Sequence, residues 1–184
     1  GLAFLYESSG SWWLLPPILL IIGGLQNHLL ILLHEGAHHM VHPNRLVNDI
    51  ITDLFCAFPF GTFQINYRLF HLNHHKYSGS PKRDPEVITY EEQNYFYARK
   101  RGLPLYKMLL SDLTGINLYR LQTRSLLYAK ELRDKGKGRK ILAWEIGLYV
   151  LFWTLMIGLF TYLGIWKQVL LFWGLPQVLV MFPL

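Results

Sequence analysis

The sequence predicts an all-α protein, an integral membrane helical bundle with a cytoplasmic cap of amphipathic helices. Of its 184 residues, 52% are hydrophobic, and long apolar runs lie near both ends. All but Arg45 and Lys167 of the 18 lysines and arginines lie between positions 68 and 140. A basic segment flanked by apolar runs is typical of a cytoplasmic loop of a membrane protein. The net charge of +6 is therefore assigned to a membrane surface and not to a nucleic-acid partner.

The first apolar run, residues 12–33, contains no charged side chain. It is as long as the roughly 20 residues that a membrane-spanning helix needs. Prolines suit the first turn of a helix and disrupt its interior, so we expect the regular helix to begin near Pro17 and to continue to His42. Pro43 then ends it.

The next apolar segment, residues 50–63, contains Asp53 and is interrupted by Pro59 and Gly61. Its length of about 14 residues falls short of a full membrane span. We interpret it as a helix that dips into the membrane or lies along its surface. The chain then returns to the side that it left.

The remaining elements follow from the same patterns. Residues 103–132 mix apolar and basic side chains at helical spacing, which predicts surface helices resting on lipid headgroups. Residues 134–140 predict a flexible basic linker on the cytoplasmic side. The apolar runs 141–163 and 169–184, separated by a turn near Gly164, predict two further spans.

Histidines give the clearest chemical signal in the sequence. Six of the eight form two clusters with helical i, i+3 or i+4 spacing, which places imidazoles on one face of a helix. Imidazole is a common ligand for iron, zinc and copper, so two such clusters predict a site for more than one metal ion. We expect the isolated His28 and His42 to be solvated or to cap helix ends. The six candidate ligands are His34, His38, His39, His71, His74 and His75.

The two clusters read HEGAHH at 34–39 and HLNHH at 71–75, about 30 residues apart, with Tyr-Arg at 67–68 and Asp-Pro-Glu at 84–86. This arrangement resembles the membrane fatty acid desaturases and their relatives, the carotenoid hydroxylases and ketolases and the alkane hydroxylases. The resemblance covers residues 11–184. Two histidine boxes in the family's order are a specific signal.

The resemblance implies a di-iron oxidoreductase, with all six clustered histidines as iron ligands on the cytosolic face. Two iron ions and O₂ as co-substrate would abstract hydrogen from an unactivated C–H bond of a fatty acyl or other lipid-like chain. Desaturation is the expected outcome, and hydroxylation is the alternative. The implied partners are a lipid substrate, the membrane and an electron donor such as ferredoxin or a cytochrome b5-type protein.

Two alternatives remain open at this stage. Residues 34–38, HEGAH, match the H-E-x-x-H motif in which two histidines bind zinc and the glutamate activates water. An intramembrane zinc protease would thus use Glu35 as its base, but it leaves His39 and the second cluster without roles. The other alternative is a non-catalytic metal-binding membrane protein.

Supporting residues follow from their positions beside the clusters. Asn48, Asp49 and Asp53 lie at the entry to the short apolar segment, where a carboxylate can accept the second N–H of a ligand histidine. Basic side chains of the middle segment are candidates for docking an acidic electron donor or an anionic headgroup, or for contact with lipid phosphates. They are Lys82, Arg83, Arg99, Lys100 and Arg101.

The sequence departs from the family pattern in one respect, because no histidine follows His75 and the third histidine box is absent. With the segment 50–63 not crossing, the run 169–184 would return the chain to the cytoplasmic side just beyond Leu184. Two six-coordinate irons need on the order of ten to twelve donors, of which six imidazoles are about half. Since the sequence also begins with Gly1 rather than Met, we expect residues 1–184 to be a single desaturase-like domain, incomplete at both ends.

Overall fold

The computed structural model describes residues 2–92, 101–112, 114 and 116–181, and these form helices and turns without a strand. The predicted all-α class is therefore confirmed. Among these described residues, two helical stretches are long and apolar enough to cross a membrane, Trp12–Ala37 and Ala143–Leu163. The helices are α1 (Leu2–Ser9), α2 (Leu15–Ala37), α3 (Arg45–Thr52), α4 (Gln64–Tyr77), α5 (Pro85–Glu92), α6 (Leu103–Asp112), α7 (Ile116–Asp134), α8 (Ala143–Leu163) and α9 (Trp166–Val169).

Helix α2 ends at Ala37, five residues before the predicted end at His42. The N–H of His39 donates to Gly36 O at 3.1 Å and the N–H of Met40 donates to Glu35 O at 3.0 Å. This pair of bonds is the Schellman motif, which needs a left-handed residue at the first position beyond the cap. His39 occupies that position with φ of 59°. Glycine is usual at this position. Because the sequence has histidine there, the prediction extended the helix to His42.

We expect His39→Gly to be more stable than His39→Ala by about 1 kcal/mol, because alanine incurs the steric cost of left-handed backbone. A helix that continued through position 39 would give the opposite order, since glycine inside a helix is about 1 kcal/mol worse than alanine. Chemical unfolding in detergent, followed by circular dichroism, measures the difference. The matched pair His28→Gly and His28→Ala, inside α2, should show the opposite order, with the alanine variant the more stable. Alanine favoured at both positions would contradict the left-handed end.

The chain bends sharply between α3 and α4. The side chain of Asn44 caps α3 by accepting the N–H groups of Leu46 and Val47 at 3.0 and 3.1 Å. The helical path then runs on to Phe60, and Gly61 (φ +73°) turns it into α4. The helical stretches Arg45–Phe60 and Gln64–Tyr77 meet at 92°, a geometry of broken spans and re-entrant loops. Helix α4 thereby packs against α2.

The apolar core lies where this bend meets α2 and α8. Leu33, Cys56 and Phe58 are buried there, at 3% exposure or less. The ring of Phe58 makes edge-to-face contacts with Tyr149 and Phe152 of α8, at centroid distances of 5.1 and 5.7 Å. Such aromatic pairs stabilise by about 1 kcal/mol beyond their burial. The bend is thus held against the membrane-spanning helices.

Helix α9 continues without a break as π-helical turns, Leu170–Gly174 and Gln177–Met181. This stretch packs against α2, where Gln26 Nε2 donates to Trp173 O at 2.9 Å. Val180 lies so close to Gly23 that a Cβ at position 23 would collide with its side chain. The part of the run 169–184 that the structure describes therefore returns alongside α2.

The basic segment 134–140 is not the flexible linker that the sequence predicts. Gly136 (φ +68°) ends α7, and the N–H of Lys137 donates to Leu132 O at 2.8 Å. Arg139 forms a two-pronged ion pair with Glu145, at 2.6 and 2.9 Å. Glu145 also accepts the N–H of Leu142 at 2.6 Å and so caps the start of α8. Several specific contacts thus connect α7 to the second spanning helix.

Candidate metal centre

Four histidines from both clusters converge on one position. His34 lies in the last turn of α2, and His38 caps that helix, while His71 and His75 lie one turn apart on α4. One ligand nitrogen from each residue lies within 4.8 Å of all the others. We call His34, His38, His71 and His75 the four-histidine cluster.

The spacing within the cluster suits a bound metal ion. His71 Nε2 lies 2.9 Å from His38 Nε2 and 2.9 Å from His75 Nε2. Two nitrogens at about 2.1 Å from a metal and at a right angle are separated by about 3 Å. Imidazole is a ligand for iron, zinc and copper, whereas magnesium and calcium prefer oxygen. The residues present therefore fit a transition-metal ion.

Arg68 joins the end of α2 to α3 and α4. Its Nε and Nη2 atoms donate to Ala37 O at 3.0 Å and Gly36 O at 2.8 Å, two carbonyls at the C-terminal end of α2. Its two Nη atoms also reach both oxygens of Asp49, at 2.5 and 3.0 Å. Arg68 is buried, with 8% of the residue exposed. We call this set of contacts the arginine clasp, and it fixes the first histidine cluster relative to the second.

Burial and neighbouring imidazoles favour the neutral form of two rings of the cluster, His38 and His71. Burial and the neighbouring imidazoles lower the pKa of His71 to about 4. The same two causes lower the pKa of His38. A neutral imidazole carries a free nitrogen lone pair, and metal binding needs that form. At neutral pH these rings are therefore ready to bind a metal.

His39 and His74 lie outside the four-histidine cluster, and each faces a carboxylate. His39 Nδ1 lies 3.6 Å from Asp49 Oδ1. His74 Nδ1 lies 2.9 Å from Asp84 Oδ1 and 3.0 Å from Glu86 Oε2. The six predicted ligands thus divide into four that converge and two that flank them.

The three predicted supporting residues have different roles. Asp49 lies beside His39 and binds Arg68. Burial raises the pKa of Asp49, but the hydrogen bonds from Arg68 and Asn48 and the charge of Arg68 together outweigh it and lower the pKa. Asn48 donates to Gly36 O at 2.9 Å and accepts the N–H of Val41, so it supports the loop after α2. Asp53 is directed elsewhere, because its Oδ1 accepts the N–H of Gln64 at 2.7 Å. Asp53 therefore caps the start of α4, and this replaces its predicted role as the partner of a ligand histidine.

Arg68 and Asp84 lie in the Tyr-Arg and Asp-Pro-Glu motifs of the family resemblance, but the sequence reasoning assigned neither of them a supporting role. Burial raises the pKa of Asp84, but hydrogen bonds from His74 and from two backbone N–H groups outweigh it and lower the pKa. A signal for Asp84 was present, since aspartate directly before Pro85 is a typical start of a helix. The Tyr-Arg pair at 67–68 did not indicate what Arg68 contacts, because its partners are brought to it only by the bend before α4.

Three of the five predicted basic residues lie in the described part of the chain, and none of these three belongs to the four-histidine cluster. Lys82 and Arg83 line a cavity of about 1110 Å³ between α4, α5 and α7. Helix α4 contributes Leu72 and Lys76 to it, on a different face from the histidines. Arg99 and Lys100 lie outside the described residues, and Arg101 is exposed before α6.

The two isolated histidines have local partners. His28 Nδ1 lies 2.8 Å from Gly24 O within α2. His42 Nδ1 accepts the N–H of Asn44 at 3.0 Å, just before α3. Neither joins the four-histidine cluster, as the sequence predicts.

Comparisons with known proteins agree with the histidine pattern. The family described as fatty acid desaturase matches residues 11–184. The chain is similar to dihydrorhizobitoxine desaturase of Bradyrhizobium elkanii, with 28% identity over 91% of this chain and 48% of that protein. It is also similar to the sphingolipid delta(4)-desaturase DES1 of Drosophila melanogaster, with 31% identity over 52% of this chain and 30% of that protein.

The chain spans about half the length of the first of these relatives and under a third of the second. No solved structure gives a significant match. The zinc protease hypothesis gains no support from these comparisons, and the glutamate it needs, Glu35, turns its Oε1 to His34 Nδ1 at 3.0 Å. Because the family match extends over residues 11–184, the chain belongs to the fatty acid desaturase family.

Proposed function

We propose that the protein is a membrane-bound oxidoreductase that uses two iron ions and O₂ to desaturate a fatty acyl or other lipid-like chain. One observation carries the proposal: histidines from both boxes meet at the end of α2, a helix apolar enough to span a membrane. Membership of the desaturase family and the names of both relatives support the choice of reaction.

In this proposal the four-histidine cluster holds iron, and His39 and His74 complete the set of six protein ligands. Two six-coordinate ions need on the order of ten to twelve donors, so the six imidazoles provide about half. Water or groups outside the 184 residues fill the remaining positions. The arginine clasp holds the first histidine cluster in a fixed position relative to the second.

When bound, the irons would supply the reduction of O₂ to two waters. That reduction takes two electrons and two protons from adjacent C–H bonds, two electrons from an external donor and two protons from solvent. The residues of the chain hold the site, and His71 offers a neutral imidazole at pH 7 because burial and the neighbouring imidazoles lower its pKa. The exposed apolar side chains of α2 and α8 give a hydrocarbon chain a route from the bilayer.

The electron donor and the sidedness belong to the same proposal. Cytoplasmic loops of membrane proteins carry an excess of lysine and arginine, which puts the basic middle of this chain and the adjoining histidines in the cytoplasm. Basic side chains such as Lys82 and Arg83 then suit the docking of an acidic ferredoxin or cytochrome b5-type protein. Docking there would leave the histidine face of α4 free.

Lipid analysis of cells that express the protein tests the proposal. We expect a new double bond in an acyl or sphingoid chain, and we expect His75→Ala to remove that product because it removes a ligand of the cluster. The control His28→Ala should retain it, since His28 bonds only within α2. A hydroxylated lipid would contradict desaturation. Peptide cleavage that survives His75→Ala would contradict the oxidoreductase itself and favour the zinc protease.

A further inference from the structure

His74 is held by the most enclosed carboxylate near the metal centre. Asp84 is fully buried, at 0% exposure. Its Oδ1 lies 2.9 Å from His74 Nδ1, and its Oδ2 lies 3.1 Å from the same nitrogen. Since a carboxylate accepts hydrogen bonds, His74 Nδ1 must be the donor.

The position of Asp84 is fixed from three sides by backbone groups. The N–H of Gly79 donates to its Oδ2 at 2.8 Å, and the N–H of Glu86 donates to its Oδ1 at 2.9 Å. Val87 N–H reaches the same oxygen at 3.4 Å, so Asp84 is also the N-cap of α5. The carboxylate therefore has little freedom to move away from His74.

We propose that Asp84 is a positioning residue that holds His74 in the tautomer with the proton on Nδ1, so that Nε2 is the nitrogen offered to the metal. A neutral imidazole has one N–H, and placing it on Nδ1 leaves the lone pair on Nε2. Carboxylates that accept the far N–H of a ligand histidine fix its ring and its tautomer, and losing them lowers metal affinity by about 10- to 100-fold. The inference rests on the proposed function in that His74 is a metal ligand.

Asp84→Asn separates positioning from folding. The amide oxygen still accepts from the start of α5, and asparagine is as good an N-cap as aspartate. The amide NH₂ group takes the place of Oδ2, 3.1 Å from His74 Nδ1, and so offers a donor where the wild type offers an acceptor. Glu86 Oε2 lies 3.0 Å from the same nitrogen, so we combine the substitution with Glu86→Ala. In this double variant we expect the proton of His74 to shift toward Nε2, the nitrogen that should bind the metal.

The tautomer is measured by ¹⁵N NMR of histidine-labelled, metal-free protein. We expect the Nδ1–H form of His74 in the wild type and a shift toward the Nε2–H form in the double variant Asp84→Asn, Glu86→Ala. The matched control Asp134→Asn, on an exposed aspartate at the end of α7, should leave the wild-type spectrum unchanged. If His74 of the wild type carries its proton on Nε2, the proposal is overturned, and this result can be detected without any variant.

Titration with Co²⁺, a spectroscopic probe of histidine sites, gives the second readout. We expect Asp84→Asn to weaken Co²⁺ binding by about 10- to 100-fold. In a His74→Ala background the same substitution should have almost no further effect, because Asp84 acts through His74. Equal losses in both backgrounds would overturn the proposal. If the wild type binds neither Co²⁺ nor iron, the proposed function fails, while the tautomer result still decides the role of Asp84.

Discussion

The variant His71→Ala is expected to lose iron binding at the four-histidine cluster. Its Nε2 is the nitrogen that lies 2.9 Å from those of both His38 and His75, so its removal breaks the link between the two boxes. We expect iron affinity to fall by more than about 100-fold, beyond the range for losing a supporting partner alone. Iron analysis of the purified protein after anaerobic Fe²⁺ loading measures the effect, and the oxidised lipid product should disappear with it.

His28→Ala is the matched control for this result. It removes an imidazole from α2, the helix that also carries His34. His28 is exposed, however, and its ring bonds to Gly24 O of the same helix. We expect it to bind as much iron as the wild type. Retention of iron by His71→Ala at the wild-type level would show that the cluster is not the metal site.

The variant Arg68→Gln is expected to destabilise the protein by about 3 kcal/mol, since breaking a buried ion pair leaves one charge without its partner. The loss also leaves the carbonyls of Gly36 and Ala37 without the donors that Arg68 provides. Chemical unfolding in detergent measures the change. Because the clasp fixes α2 relative to α4, we expect weaker iron binding as well.

A double-mutant cycle with Asp49→Asn tests whether the clasp acts as a unit. Asp49 receives both Nη atoms of Arg68, so the second substitution should cost much less once the arginine is gone. The exposed Arg101 supplies the control Arg101→Gln, for which we expect a change within about 0.5 kcal/mol. Additive losses at positions 68 and 49 would contradict a clasp.

Apolar run length predicted two of the three expected spans, because crossing a membrane needs a fixed number of apolar residues. The two candidate spans coincide with the runs 12–33 and 141–163, whereas the described part of the run 169–184 is not among them. The end of α2 escaped prediction for a local reason. A histidine at position 39 takes the left-handed conformation that the Schellman motif requires. The sequence has no glycine at this position, so nothing in it indicates the end of the helix.

Histidine spacing likewise predicted which residues meet, since i+4 spacing puts imidazoles on one face. The spacing did not show that His39 and His74 stand apart from the other four. That division depends on where Asp49 and Asp84 lie, and those positions follow from the 92° bend and from the loop before α5. Contacts between distant segments, such as Arg68 with the end of α2, have no periodic signature.

The central claim is that the histidine clusters bind iron for an oxidation. Metal analysis of the purified protein, combined with X-ray absorption at the metal edge, tests it most directly. The account predicts iron as the bound metal, close to two ions per polypeptide and ligated by imidazole, with the iron lost in His71→Ala. One zinc per polypeptide, or a protein that binds no metal after anaerobic Fe²⁺ loading, would contradict it.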